Sequence, residues 1–516
     1  MNFEIKIAPE TVLVVPCVGG QVLQSMYVRE QEPATTTSLH LTRTNYRTRR
    51  GFHYLLEYTR MSDRTAFANG EGASVLHVCL VVCVPYVAAL SLGPYFTERS
   101  WHLRLVIDQI TIVLPTCAAC LCIEHRWDLY LIYGALLLPL GVKLRSTLKE
   151  RTRTNVSSVL SLVNGNRSPV ITQLRGAIAL QTAFCILGVD FHLFPRANAK
   201  TLNYGRSVMD LGVGAVVLAG ALTTRRRPRE SISVTARRAM VRHAPLVAAG
   251  LGRLVAVRAT AYHEVHSEYG VHWNFFFTLA AVAAGTPALE RATERAVGGQ
   301  SAAATAVAAT VVLALHQTML SFGGLSAYVR DSPRTSSFLS ANKEGLASLP
   351  GYLGLGLAGN AASAWFVQTR YRMSELWLDV AKLAGASVMF GLSAVSADSL
   401  VEPTSRRLCN LAYVLWVLAQ VGCALSFATI GSLLAAISPR PSPHPPPILE
   451  SINRNPLSFF LLSNLLTGAC NLSIDTMQQS DAVAAMILAT YMTVVCTTAV
   501  LADASQRSVT RSEAAP

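Results

Sequence analysis

Three charged side chains at the end of an apolar run are of the types that move protons and bind anions. Asp190, Arg196 and Lys200 lie in the stretch VDFHLFPRANAK, where the apolar run 176–190 ends. A carboxylate at such a position is partly desolvated, which raises its pKa and makes it a better general base. Lys200 offers a cation for an oxyanion or a phosphate, and Arg196 one for an anionic headgroup. The alternative is that Asp190 and Lys200 form a mutual salt bridge that holds the loop.

A histidine later in the chain is a rival base. His272 lies in the stretch SEYGVHWNFFF, where another apolar run begins. An unperturbed imidazole titrates close to neutral pH, so it needs no special environment to accept a proton. The alternative is an interfacial histidine held by a hydrogen bond beside Trp273.

The composition places these residues in a membrane protein. The chain has 516 residues, of which 51% are hydrophobic and only 14% are charged, and its mean hydropathy is +0.36. Soluble domains carry about 25% charged residues. We therefore expect an all-α, polytopic integral membrane protein.

Apolar stretches long enough to cross a bilayer recur from residue 75 onward. A helix needs about 20 apolar residues to cross a hydrocarbon core of about 30 Å, and the sequence holds about thirteen such stretches. They predict one bundle of transmembrane helices. The stretches lie near residues 75–93, 104–123, 128–143, 176–190, 206–223, 244–259, 271–289, 302–320, 349–367, 376–397, 408–437, 456–474 and 483–502.

The net charge of +14 is concentrated in the connections between these stretches. Segments 145–175 and 225–242 are the most basic, and both follow odd-numbered spans, so they lie on one face. The positive-inside rule makes that face cytosolic and the connections on the other face lumenal. These arginines set the topology and contact anionic lipid heads, with nucleotide phosphates as the less favoured alternative. Nucleic acid is not expected as a partner.

The predicted bundle divides the chain into three parts. Arginines between residues 43 and 64 conflict with a lumenal N-terminus, and a translation start at Met61 would remove most of that conflict. The proline-rich segment 438–455 is expected to be a non-helical tether. The parts are an N-terminal extension (1–74), a multi-pass transmembrane domain (75–503) and a C-terminal tail (504–516).

Polar side chains from four separate parts of the chain gather on the predicted lumenal side, as a site between helices requires. Asp210 is informative, since an ionised carboxylate within a span costs about 2.5–3.5 kcal/mol on insertion scales and should face a cavity or a partner. Ordinary loops and helix caps are the alternative, and they suit Glu344. The other candidates are Tyr204, Glu268, Tyr269, Trp273, Asn274, Lys343, Asn464 and Asn471.

The eleven cysteines do not predict a metal site. Cys117, Cys120 and Cys122 crowd together in TCAACLC, but this stretch is apolar, and free cysteine there behaves as a small buried hydrophobe. No second cluster in the sequence completes a set of four ligands. No metal is therefore expected.

Several of these stretches together resemble one known family. VDFHLFPRANAKT with YGRSVMDLGVG, SEYGVHWNFFFTL, NKEGLASLPGYL and NLLTGACNLS are similar, in this order, to motifs of the inositol acyltransferases of glycosylphosphatidylinositol-anchor biosynthesis, the PIG-W family. The resemblance implies a multi-pass protein of the endoplasmic reticulum membrane. It also implies transfer of a fatty acyl chain, usually palmitoyl, from acyl-CoA to the inositol 2-hydroxyl of glucosaminyl-phosphatidylinositol. No permanently bound cofactor and no obligate protein partner are expected.

The resemblance favours Asp190 and Lys200 as the catalytic pair and keeps their spacing. The chain departs from the family's common pattern around this motif, because it has His192, Ala197 and Leu202 where a proline, an arginine and a glutamate are usual. A multi-pass lipid transporter or flippase is the alternative function, since polar, glycine-interrupted spans also suit transport. Against it, the polar motifs gather at one face, and no inverted repeat is visible.

Overall fold

The computed structural model describes most of the chain from residue 69 onward. The predicted N-terminal extension, including Met61, lies almost entirely outside the described residues. Regular structure in the described part is helical apart from one pairing of two-residue strands. The described residues are 69–70, 72–92, 101–124, 126–149, 169–223, 231–260, 268–335, 337–366, 372–436 and 445–513.

Eight of the described helices lie before residue 261. A π-helical turn, Gln109–Val113, joins the second of them to the third. Ser207 caps the sixth, because its hydroxyl accepts a hydrogen bond from the backbone N–H of Asp210. The helices are α1 (Val75–Leu92), α2 (Trp101–Asp108), α3 (Leu114–Cys120), α4 (Asp128–Lys149), α5 (Pro169–Gly188), α6 (Val208–Ala221), α7 (Ile232–Arg242) and α8 (Ala244–Thr260).

Ten described helices follow. Asn274 caps the first of these by accepting hydrogen bonds from the N–H groups of Phe276 and Phe277. The last one continues through most of the predicted tail 504–516. The helices are α9 (Phe275–Val297), α10 (Ala302–Ser321), α11 (Leu325–Asp331), α12 (Phe338–Ala341), α13 (Lys343–Phe366), α14 (Met373–Leu400), α15 (Leu411–Ala436), α16 (Pro447–Arg454), α17 (Pro456–Ser473) and α18 (Asp481–Glu513).

The helical membrane character is confirmed, but the count of about thirteen spans is not. A helix overlaps each of the predicted stretches. In the described ranges six helices are long and apolar enough to cross a bilayer, or seven if the bent pair α7 and α8 is one span. One reason why fewer helices qualify as spans is their length, because α6 has 14 residues and rises only about 21 Å. Charge is another, because α9 carries Glu290, Arg291 and Glu294 near its end.

Part of the segment 438–455 is a helix, so the expectation of a non-helical tether was wrong there. Pro447 is the first residue of α16, where the missing N–H of proline costs no hydrogen bond. Ile448, Leu449 and Ile452 are fully buried, and α16 packs against α5 and α18. Gly176 permits the contact with α5, because a Cβ there would lie 2.4 Å from the carbonyl oxygen of Leu449.

The chain between α5 and α6 carries two of the residues on which the sequence prediction rests. It contains a short 3-10 helix, Arg196–Asn198, followed by the strand β2, Lys200–Thr201. This strand pairs in parallel with β1, Asn69–Gly70. A side chain at Gly70 would clash with the backbone of Arg196, because its Cβ would lie 2.0 Å from that carbonyl oxygen. The pairing fixes the backbone of Lys200.

Candidate active site

A large interior cavity runs between helices α5, α6, α8 and α9. Its volume is about 1080 Å³, at the upper end of the range for ligand pockets, and its walls are mostly apolar. Phe275 and Glu294 of α9 both line it, and the helix rises about 28 Å between them at 1.5 Å per residue. The cavity is therefore about as long as the hydrocarbon core of a bilayer is thick, which is about 30 Å.

The two ends of this cavity carry different charged groups. What we call the lysine end lies where α5 ends and where α6 and α9 begin, and it is lined by Lys200, Arg253, Glu268, Tyr269 and Arg406. What we call the arginine end is lined by Arg175, Arg238, Arg242, Glu290, Arg291 and Glu294. Three of these arginines belong to the basic segments 145–175 and 225–242. The two ends of the cavity thus differ in the charged groups that line them.

Lys200 is held by a carboxylate at the lysine end. Its Nζ donates to Oε1 and Oε2 of Glu268 at 2.8 and 3.0 Å. Burial alone would raise the pKa of Glu268, but the charges of Lys200 and Arg406 outweigh burial and lower that pKa to about 2. Glu268 is therefore an anion at physiological pH and a weak base. Among the described residues Lys200 forms its ion pair with Glu268 and not with Asp190, so the mutual salt bridge is not present.

Asp210 has the partner that its burial requires. Its carboxylate is 0% exposed, and Oδ1 accepts a hydrogen bond from Nε of Arg406 at 2.8 Å. Oδ2 accepts from the hydroxyl groups of Ser207 at 2.8 Å and Thr201 at 2.9 Å. These donors replace the water that the charge has lost. Asp210 does not line the cavity, so its contacts hold the strand that carries Lys200.

Asp190 lies just beyond the end of α5. Its neighbour Val189 lines the cavity, whereas the Asp190 side chain is not among the lining groups. Oδ2 of Asp190 accepts a hydrogen bond from Nδ2 of Asn471 in α17 at 2.8 Å. The guanidinium of Arg196 stabilises the loop that contains it, since it donates hydrogen bonds to the carbonyl oxygens of Val189 at 3.1 Å and Phe191 at 2.9 Å. The structure therefore brings Asp190 and Asn471 together beside the cavity.

The stretch that contains His272 joins neighbouring helices. Nδ1 of His272 lies 3.2 Å from a guanidinium nitrogen of Arg258. Nε1 of Trp273 donates to the hydroxyl of Thr278 at 2.9 Å, and Asn274 caps α9. None of the side chains of His272, Trp273 and Asn274 lines the cavity. The geometry therefore favours the hydrogen-bonded alternative for His272.

A second group of charges lies outside the cavity. Glu344 is 0% exposed and forms ion pairs with Arg334 at 2.7 Å and Arg407 at 2.8 Å. Lys343 donates to the carbonyl oxygen of Tyr328 at 3.2 Å. We call Arg334, Lys343, Glu344 and Arg407 the Glu344 cluster. The structure thus places two sequence candidates, Lys343 and Glu344, in a network that holds helices together.

Two of the remaining candidates line the cavity and one does not. Tyr269 lines the lysine end and Asn464 lines the wall. Burial raises the pKa of Tyr269 to about 12, so its hydroxyl stays neutral. Tyr204 donates to Glu402 at 3.1 Å and is absent from the cavity wall. Of the sequence candidates, Lys200, Glu268, Tyr269 and Asn464 are therefore the ones whose side chains line the cavity wall.

Comparison with known proteins assigns the chain to a family. The family model for GWT1 matches residues 60–502. The chain belongs to the GWT1 family. The glucosaminyl-phosphatidylinositol-acyltransferase PIGW of Bos taurus is 33% identical to it over 83% of this chain and 95% of that protein. The GPI-anchored wall transfer protein 1 of Yarrowia lipolytica is 31% identical over 81% of this chain and 92% of that protein.

A third relative matches a larger share of this chain than the first two. The glucosaminyl-phosphatidylinositol-acyltransferase PIGW of Mus musculus is 28% identical over 86% of this chain and 97% of that protein. The resemblance inferred from the motifs is confirmed. This GWT1-family chain is an acyltransferase of glycosylphosphatidylinositol-anchor biosynthesis.

Sequence reasoning about this GWT1-family chain missed Arg406, which lies in the loop 401–410 between α14 and α15. Arg406 and Arg407 are adjacent, yet Arg406 lines the cavity and Arg407 joins the Glu344 cluster. A signal was present, because this loop falls on the predicted lumenal side, where the positive-inside rule does not expect paired arginines. A pair of arginines on the side where the positive-inside rule does not expect them indicates that they have buried carboxylate partners.

One group of three cysteines meets where α1 packs against α15. Sγ of Cys423 in α15 lies 3.5 Å from Sγ of Cys79 and 3.8 Å from Sγ of Cys83, both in α1. These separations exceed the length of a disulfide bond, about 2.05 Å. The three sulfur atoms supply fewer ligands than the four of a structural zinc site. Their contact lies in the packing of α1 against α15.

Proposed function

We propose that the chain transfers a fatty acyl group, palmitoyl above all, from acyl-CoA to the 2-hydroxyl of inositol in glucosaminyl-phosphatidylinositol. The reaction takes place in the endoplasmic reticulum membrane, with the lysine end of the cavity on the lumenal side. Acyl-CoA is a co-substrate, and no permanently bound cofactor takes part. The names of the two PIGW relatives contain the acceptor, glucosaminyl-phosphatidylinositol.

The observation that carries this proposal is the length of the cavity together with the charges at its ends. Acyl-CoA is made in the cytosol, and the positive-inside rule puts the arginine end on that side. Arginine binds phosphate groups well, because its planar guanidinium donates in a fork. The apolar walls suit the pantetheine arm and the acyl chain. The cavity therefore offers the donor a path through the protein from the cytosolic side to the lysine end.

The chemistry at the lysine end requires a base and an oxyanion donor. The inositol oxygen attacks the thioester carbonyl, the new C–O bond forms, and the C–S bond then breaks to release coenzyme A with the proton. Lys200 stabilises the oxyanion, because its ammonium lines the cavity. Asp190, the base that the resemblance favours, takes the hydroxyl proton, and its carboxylate lies beside the cavity wall next to Val189. Glu268 is the less suitable base, because its pKa of about 2 keeps it deprotonated and weakly basic.

Product formation by the purified protein tests the reaction. The full-length chain is incubated with labelled palmitoyl-CoA and glucosaminyl-phosphatidylinositol, and the lipid product is analysed by mass spectrometry. We expect one added palmitoyl ester on inositol. A protein that moves labelled lipid between leaflets without forming an ester would instead be the transporter that the sequence left as the alternative.

Three conservative substitutions identify the base. Asp190→Asn is expected to lower the turnover number about 100-fold or more, whereas His272→Asn leaves it within about threefold, because the resemblance favours Asp190 as the base and His272 lies against Arg258. The turnover number of Glu268→Gln should lie between those of the other two variants, since this change weakens the hold on Lys200 without removing the base. Each rate is divided by the amount of folded protein. A full loss in His272→Asn with an active Asp190→Asn would assign the base to the histidine.

A further inference from the structure

We infer that Arg406 is a positioning residue that holds Lys200 in place for acyl transfer. This inference rests on the proposed function, because it assigns Arg406 a part in that reaction. Arg406 is 6% exposed and lines the lysine end of the cavity. Two carboxylates contact its guanidinium, and each of them is linked to Lys200 by a different route.

The first route runs through the backbone. Nε of Arg406 donates to Asp210 at 2.8 Å. The same carboxylate accepts hydrogen bonds from the backbone N–H of Thr201, at 3.2 Å to Oδ2, and from its hydroxyl, at 2.9 Å. Thr201 follows Lys200 in strand β2. Arg406 therefore fixes the orientation of Asp210, and Asp210 fixes the strand from which Lys200 projects.

The second route runs through the side chain of Lys200. Oε1 of Glu268 lies 2.8 Å from Nζ of Lys200 and 4.0 Å from a guanidinium nitrogen of Arg406. Glu268 thus stands between the two cations. With the first route, this closes a ring of contacts from Arg406 through Asp210, Thr201, Lys200 and Glu268. A ring of this kind restricts both the backbone and the ammonium of Lys200, which pre-organises an oxyanion donor.

The neighbouring Arg407 shows that this arrangement is specific to Arg406. Arg407 donates to Asn203 at 2.7 Å and to Glu344 at 2.8 Å, and it is absent from the cavity wall. Two adjacent arginines of the same loop therefore serve different clusters. Arg407 provides a matched comparison of the same residue type.

The test must separate a role in the reaction from a role in folding. Arg406→Met alone leaves Asp210 buried without a cation, and such a charge destabilises a fold strongly. The double variant Arg406→Met with Asp210→Asn removes that charge and keeps an acceptor for Ser207 and Thr201. The full-length double variant and Arg407→Met are purified, and melting temperature, turnover number and KM for palmitoyl-CoA are measured for each.

We expect the double variant to fold and to lose turnover about 100-fold, since a misplacement of about 1 Å has effects of this size. Its KM for palmitoyl-CoA should stay within about twofold, because the arginine end is unchanged. Arg407→Met should melt earlier and keep its turnover per folded molecule. Arg406→Lys should recover only part of the rate, because one ammonium does not span two carboxylates.

Turnover of the double variant within twofold of wild type would overturn the role of Arg406 and leave the proposed function intact. A wild-type protein that forms no acylated product would overturn both. Because wild type and variants are measured in one assay, these two failures are distinguishable.

Discussion

The lysine end of the cavity and the Glu344 cluster consist of the same kinds of side chain but have different surroundings. At the lysine end, the side chains of Lys200 and Glu268 are 36% and 24% exposed. In the Glu344 cluster, the side chains of Glu344 and Arg407 are 0% and 11% exposed. Both groups contain ion pairs between distant parts of the chain. The lysine end lines the large cavity and the Glu344 cluster does not, so a ligand in that cavity meets the first group.

The largest difference is expected between two lysines, one from each region. Lys200→Ala removes the proposed oxyanion donor and should lower the turnover number about 1,000-fold without a change in melting temperature, because the side chain is partly exposed. Lys343→Ala should keep its turnover per folded molecule. Both variants are assayed with palmitoyl-CoA and glucosaminyl-phosphatidylinositol. Equal losses of turnover in the two would remove the distinction between the regions.

A carboxylate of the Glu344 cluster should show the opposite pattern. Glu344→Gln leaves Arg334 and Arg407 without their shared anion, which should destabilise the fold by about 3 kcal/mol. The expected result is a lower melting temperature and lower abundance in membranes. The turnover number of the protein that remains folded should be within about twofold of wild type. A normal melting temperature with a reduced turnover would instead place Glu344 in the reaction.

The sequence was sufficient to place the helices and the family but not to sort the polar residues. Hydropathy and motif spacing selected Lys200, Asp190 and Asn471 as candidates, because both signals can be read from neighbouring residues in the sequence. Whether a loop side chain meets the cavity depends on contacts from distant segments. Lys200 faces Glu268 because β2 is fixed by pairing with β1. Arg406 escaped detection for the same reason, since its partners lie far away in the chain.

The helix α16 shows a second limit. Proline content argued for an irregular tether, but a proline in the first turn of a helix is favourable. What decides the outcome is burial of Ile448, Leu449 and Ile452 against α5, and no local pattern shows that a neighbouring helix offers a glycine at the contact. The span count is unconfirmed for a related reason, because a helix shorter than the bilayer is thick, such as α6, can be stabilised by packing within the bundle.

Filling the cavity should impair the reaction, whereas the same change on another surface should not. Gly212 of α6 lines the cavity, and a Cβ there would lie 3.9 Å from the hydroxyl of Thr182. Gly212→Leu should raise the KM for palmitoyl-CoA about tenfold, which corresponds to about 1.4 kcal/mol, and that for octanoyl-CoA less, because the added side chain takes up space that the longer acyl chain needs. Gly385→Leu, at a position with no atom within 4 Å of the added Cβ, is the control. An equal effect in both would place the donor outside the cavity.

The smallest expected effect concerns the arginine end of the cavity. It tests whether an arginine must line the cavity to bind the donor, or whether its charge alone is sufficient. Arg238 lines the cavity and the adjacent Arg237 does not, although both are exposed arginines of α7. Arg238→Ala should raise the KM for palmitoyl-CoA about fivefold, which corresponds to about 1 kcal/mol, and leave the turnover number unchanged, because it removes binding that the ground state and the transition state share. Arg237→Ala should leave both values unchanged. The opposite result would be an equal rise in KM for the two variants that disappears when salt is added. The arginines would then act through a diffuse surface potential, and the donor would need another route to the lysine end.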